Sequence, residues 1–253
     1  MNKAERCALV ALLSLLPLLP ACTQVPEYAA EIPAPAPVVK REEVQRTIDA
    51  YLNLTWRGKS RYIMHGNDAD GIRVDTPDHG AAVEPRHRCW WRKGINRSMP
   101  YKWGGFDTPE QFLAHLHSGE TVYAGDCCTP AKVAGGDDVV SRFAAGIDCS
   151  GFVSRCWRLP RPYSTRELAA LCTPLNSVEA LRPGDIMLHP GDHVMMFLYW
   201  SDADGNPAEQ HRYYVAAEAA GEPRWAVVKN RYTVAGVLKL GYRPYRYRNM
   251  QEE

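Results

Sequence analysis

One short stretch constrains this chain more than any other. Phe152, Val153, Cys156 and Trp157 repeat at i, i+1, i+4 and i+5, the stripe of a helix buried along one side. Pro160 stops that helix, so it is short, and a short helix is stable only when packed against something. Its packing partner lies downstream. Leu181-Arg182-Pro183-Gly184-Asp185 reads as a turn and Ile186-Met187-Leu188 as a short strand, followed by His193 to Trp200, an unbroken β-forming run. A turn at Asp202-Ala203-Asp204-Gly205 then sends the chain back through Tyr213 to Glu218. Strands joined by tight turns pair antiparallel. A buried helix followed by such strands predicts an α+β fold, with the helix packed on a small antiparallel sheet.

The same stretch carries the chemistry. Cys149 falls in the first turn of the helix, between Asp148 and Ser150. Unpaired N–H groups and the positive dipole end at that point stabilise a thiolate and are placed to bind an oxyanion. A thiolate nucleophile needs a histidine to carry the proton. His193 opens the long strand; His189, after Ile186-Leu188 and before Pro190, competes for the role. Glu218 is the one charge at the end of an apolar run. It reads either as the acceptor that orients an imidazole or as a solvated strand end.

The N-terminus reads differently. Lys3 and Arg6 precede an apolar run from Ala8 to Leu19. Twelve helical residues span about 18 Å, short of the roughly 30 Å of a hydrocarbon core, so this is a secretory signal rather than a membrane span. Leu19-Pro20-Ala21-Cys22 resembles the lipobox of bacterial lipoproteins, which implies removal of residues 1–21 and acylation of Cys22. Thr23 after the cysteine, in a Gram-negative bacterium, implies an outer-membrane lipid anchor facing the periplasm. Pro26, Pro33, Pro35 and Pro37 make residues 22–39 an extended tether. The whole chain carries 30 basic and 29 acidic residues, and cleavage removes Lys3, Glu5 and Arg6, leaving it neutral. That balance removes the electrostatic case for nucleic-acid binding.

Val44, Ile48, Tyr51 and Leu52 predict an amphipathic helix over 40–54, whereas residues 57–100 read mostly as loop. Asn67-Asp68-Ala69-Asp70-Gly71 lacks the first acidic ligand and the terminal glutamate of a calcium loop and reads as a turn. Thr108-Pro109-Glu110-Gln111 opens a further helix that ends by Gly119, and residues 120–147 show little periodicity. His87, Cys89, His115, His117, Cys127 and Cys128 match no standard zinc spacing. Trp90, Trp91 and Trp103 are expected in the core, with sugar stacking as the other reading.

Four strings occur in register: Tyr101-Lys102-Trp103-Gly104-Gly105, Asp148-Cys149-Ser150-Gly151-Phe152-Val153, Pro183-Gly184-Asp185 and His193-Val194. Together they resemble the NlpC-type papain-like cysteine peptidases of bacterial cell walls. A capping box at Ser164 and Glu167 fits the family's second helix. The resemblance covers roughly residues 98–248 and implies a papain-like catalytic domain over 98–253, preceded by a helix and irregular segment at 40–97. It implies Cys149 as nucleophile, His193 as base and Glu218 in the third position, with Tyr101, Ser150 and Asp148 as substrate or oxyanion contacts. It further implies a monomer that cuts peptidoglycan stem peptides, commonly between D-γ-glutamate and diaminopimelate, with no metal or cofactor. Two departures stand out. Forty-two residues separate Gly105 from Asp148, an insertion at about 106–147, and the third position is a glutamate where His, Asn or Gln is usual. Two other uses stay open: the same dyad acting on another amide or transferring an acyl group, and a catalytically silent scaffold lipoprotein.

Eight cysteines complete the reading. Cys7 leaves with the signal, Cys22 takes the lipid and Cys149 stays reduced to react. Cys89, Cys127, Cys128, Cys156 and Cys172 remain, an odd number that allows at most two disulfides in an oxidising compartment.

Overall fold

The computed structural model describes residues 37–78 and 90–251. The apolar run, Cys22 and most of the tether, with His87 and Cys89, lie outside the described residues. Among the described residues no helix is long and apolar enough to cross a membrane.

The fold is α+β. Six strands form one sheet: β1 (Cys172–Pro174), β2 (Ile186–His189), β3 (His193–Ser201), β4 (Tyr213–Ala220), β5 (Ala226–Thr233) and β6 (Arg243–Tyr247). Their order is β5-β4-β3-β2-β6-β1, and every neighbouring pair is antiparallel. The unbroken apolar character of β3 follows from its place in the middle. Val194, Met196 and Leu198 point into one core, and Met195 and Phe197 into a second core on the opposite face. A strand covered on both faces has no side left for polar residues.

The helices are α1 (Arg41–Asn53), α2 (Pro109–His117), α3 (Pro130–Gly135), α4 (Cys149–Cys156), α5 (Thr165–Ala170) and α6 (Val234–Lys239). α4 buries Phe152, Val153 and Cys156 together with Trp157 in the larger core. α1 packs on α4 through Tyr51, whose ring meets Phe152 edge-on at 5.4 Å. The N-terminal helix thus packs within the compact unit Pro35–Glu253. Its Arg41 donates to the Pro183 carbonyl at 2.5 Å and to Asp185 at 3.1 Å. Asp185, fully buried, also accepts from Arg246 on β6 at 2.7 Å and from the Arg182 backbone N–H at 2.9 Å. The Pro-Gly-Asp turn is thus the knot that ties α1 and β6 to the head of β2.

The stretch expected to be mostly loop, 57–100, contains short ladders. Thr55–Gly58 pairs antiparallel with Gly94–Arg97, and His65–Asn67 with Arg73–Asp75. Strands of three and four residues are too short to show a readable alternation, which is why periodicity missed them. Asn67 to Gly71 is a turn, with the Asp68 carboxylate accepting from the Asp70 and Ile72 N–H groups. Trp91 is buried against Trp56, and Trp103 donates to the Gly136 carbonyl, so both hold the fold together. Cys128, Cys149, Cys156 and Cys172 all carry free thiols.

Candidate active site

The start of α4 is built by close packing. Asp148 is its N-cap, and its carboxylate accepts from the Gly151 N–H at 2.6 Å and from Ser150 Oγ at 3.0 Å. A Cβ on Gly151 would lie 2.1 Å from the Gly105 carbonyl oxygen, and one on Gly105 would lie 2.6 Å from the Gly146 oxygen. Only glycines allow the Tyr101–Gly105 segment to press against the helix start, and so Trp-Gly-Gly and Cys-Ser-Gly occur together. Asp148 and Ser150, expected as substrate or oxyanion contacts, spend their side chains on each other and on the cap. The Gly151 and Phe152 N–H groups are taken by Asp148, which leaves those of Cys149 and Ser150 at the helix end.

His193 is the first residue of β3, as expected. Ala217 pairs with Met196, and one step further along the register Glu218 faces Met195. That puts Glu218 and His193 on one face as diagonal neighbours, within reach of long side chains. His193 Nε2 lies 2.6 Å from Glu218 Oε2. The Cys149 sulfur lies within electrostatic reach of the ring. With Nε2 engaged by the carboxylate, Nδ1 is the nitrogen that serves Cys149. The structure therefore brings Cys149, His193 and Glu218 together. His189 pairs with His193 across the β2–β3 hairpin, but its Nδ1 lies near Asp192 at 3.8 Å and its ring faces Tyr242.

Glu218 is no solvated strand end: β4 continues to Ala220, and the residue is buried. Its second oxygen, Oε1, accepts from Asn230 Nδ2 at 2.8 Å and from the Tyr232 hydroxyl. These two residues of β5 were missed in the sequence. Their only signal is the alternation Asn230, Tyr232, which the antiparallel register sets on the same face as Glu218.

The charges reinforce one another. Burial works against a charge on His193, but the Cys149 sulfur and Glu218 beside it outweigh burial and raise its pKa well above the usual imidazole value. Burial would likewise raise Glu218, yet the bonds from His193, Tyr232 and Asn230 hold it below the ordinary glutamate value. The triad thus favours imidazolium beside carboxylate.

Tyr101 forms one wall. It is 5 % exposed and packs edge-on to Trp225 at 5.5 Å, within electrostatic reach of Cys149 and Cys128. Burial, followed by the nearby Cys149 and Asp148, raises its pKa well above the usual phenol value. Tyr242 stands on the other side, its ring 6.5 Å from that of His193. Residues 126–132 supply the ground behind Tyr101: the Lys102 backbone forms a parallel β-bridge with Asp126, and the Asp126 carboxylate is paired with Lys132 at 2.5 Å, all three buried. Burial raises Asp126 to about 6 against the pull of Lys132. Among the described residues no group of three or more His, Cys, Asp or Glu side chains is arranged to hold a metal ion. Comparison with protein-family models, curated proteins and solved structures finds no match for this chain.

Proposed function

We propose that this chain is a papain-like cysteine peptidase of the NlpC type, hydrolysing amide bonds in peptidoglycan stem peptides. The observation that carries the reading is the grouping of Cys149, His193 and Glu218, with the cysteine at a helix N-terminus and the imidazole bound to the carboxylate within electrostatic reach of the sulfur. In the mechanism the Cys149 thiolate attacks the carbonyl carbon of the amide. The N–H groups of Cys149 and Ser150 face the oxygen that gathers charge. His193 gives its proton to the leaving amine, and the acyl group stays on sulfur as a thioester. His193, neutral at that stage, takes a proton from water as it attacks the thioester, and the thiolate returns. Glu218 orients the ring and balances its charge throughout; Asn230 and Tyr232 hold Glu218. The resemblance of residues 98–248 to cell-wall peptidases supplies the substrate class, and the lipobox-like Leu19-Pro20-Ala21-Cys22 a lipid anchor on the periplasmic side.

The test is digestion of purified peptidoglycan followed by mass spectrometry of the fragments. Wild type is expected to release peptides ending at a single stem-peptide bond, and Cys149→Ala to release none. Identical fragments from both proteins, or none from either, sink the assignment.

A further inference from the structure

The proposed mechanism uses one thiol, yet a second lies in the same site. Tyr101-Lys102 is flanked on both sides in parallel, by Ile147 next to Tyr101 and by Asp126 next to Lys102. Two residues beyond these partners come Cys149 on one side and Cys128 on the other. Tyr101 and both cysteines lie within electrostatic reach of one another.

The other described cysteines are placed differently. Cys127 is fully buried, its N–H bound to the Asp75 carbonyl at 2.8 Å. Cys156 is buried at the far end of α4, and Cys172 sits on the edge strand β1 opposite Tyr247. Cys128 is half-buried, in the irregular stretch between the Asp126 bridge and the Thr129 cap of α3. Burial, followed by Cys149 nearby, pushes its thiol up to about 11, so at neutral pH it keeps its proton beside the nucleophile.

We propose that Cys128 is the resolving thiol of Cys149, and that oxidation of the site by a peroxide ends in a reversible Cys128–Cys149 disulfide. This deepens the reading of Cys149 as the nucleophile and rests on it. In the first step the Cys149 thiolate attacks one peroxide oxygen. An S–O bond forms, the O–O bond breaks, and the leaving oxygen takes a proton from water. The sulfur has lost two electrons to the peroxide and is a sulfenic acid. In the second step the Cys128 sulfur displaces the hydroxyl from Cys149. The S–S bond forms, the S–O bond breaks, and the Cys128 proton leaves with the hydroxide as water. The disulfide needs the two Cα atoms within about 7 Å. A dithiol reduces the bond and restores the nucleophile. Without Cys128 the sulfenic acid stays open to a second peroxide and proceeds to irreversible sulfinic acid.

The experiment treats the full chain with hydrogen peroxide and then blocks remaining thiols by alkylation. Digestion and mass spectrometry locate every modified cysteine. Wild type is expected to lose about 2 Da and yield a Cys128–Cys149 linked peptide, and dithiothreitol to restore iodoacetamide labelling of Cys149. Cys128→Ser is expected to gain oxygen on Cys149 and to lose that labelling irreversibly. A wild-type product carrying sulfinic acid on Cys149, or a link from Cys149 to another cysteine, overturns the proposal. The linked peptide is read on the wild-type chain, so the outcome does not hang on the variant folding. It also needs no substrate: failure of untreated protein to cut peptidoglycan counts against the proposed function and leaves the disulfide result standing.

Discussion

Replacing Glu218 by Gln tests the electrostatics of the site with almost no change of shape. The amide can still meet His193 Nε2, but the negative charge 2.6 Å from that nitrogen is gone. With charge centres about 4 Å apart and an effective dielectric near 20, the pair is worth about 4 kcal/mol at most. At 1.36 kcal/mol per pKa unit that is an upper limit of about 3 units, and retained hydrogen bonding makes about 1–3 units the expected drop in the His193 pKa. The direction follows from the pair: Glu218 helps raise His193, so its loss lets the imidazolium shed its proton at lower pH. The assay is the pH dependence of Cys149 alkylation by iodoacetamide, followed on the Cys149 peptide, which needs no substrate. Its upper inflection, where the imidazolium deprotonates, is expected to move down by that amount, and peptidoglycan cleavage to fall by roughly 10²–10⁴-fold.

Stability gives an independent reading of the same variant. The raised His193 pKa stabilises the fold in full below the usual imidazole value of 6.5, and this is lost as pH rises through the folded value. The lowered Glu218 pKa stabilises it above 4.5, and this is lost as pH falls through the folded value. The wild-type advantage over Glu218→Gln is therefore greatest between about 4.5 and 6.5, and shrinks as pH moves from that window toward and past either folded-state value. An unmoved upper inflection together with a pH-independent stability difference would refute the ion-pair account.

Two substitutions probe the scaffold. Gly151→Ala sets helix propensity, which favours Ala by about 1 kcal/mol, against a Cβ driven to 2.1 Å from the Gly105 oxygen. Packing should win, with a net loss of about 1–3 kcal/mol and a Tm lower by several degrees in thermal unfolding; a raised Tm would show that the close approach is not required. Asp185→Ala strands Arg41 and Arg246 beside the turn they tie down, and because both arginines are only partly buried the cost should sit near the low end for a broken buried pair, about 3 kcal/mol in urea unfolding. A cost near zero would mean that α1 and β6 are held in place without this turn.

How much of this was legible depended on whether a signal was local. The helix stripe Phe152, Val153, Cys156, Trp157 and the run His193–Trp200 report burial within a few residues, so α4 and β3 could be read directly, and with them Cys149 and His193. Thr108 and Ser164 cap their helices through bonds to residues three positions on, which a sequence displays. What could not be read was contact across the fold. Asn230 and Tyr232 matter only because β5 pairs with β4 in a register that turns them toward Glu218. Residue 128 looked like half of an adjacent cysteine pair in an aperiodic insertion, with nothing nearby to link it to position 149. The link is made by Tyr101, which the fold wedges between two segments that also pair with each other directly at Tyr123–Ala124 and Ala144–Ala145. The insertion is therefore part of the site rather than an ornament on it. Asp126 and Cys128 come from it, Lys132 neutralises Asp126 beneath Lys102, and Gly136 accepts from Trp103. The proposed peptidase site needs a nucleophile, a base and an orienting acid. To these the forty-two residues between Gly105 and Asp148 add a second thiol, Cys128, whose proposed part is played under oxidation rather than during hydrolysis.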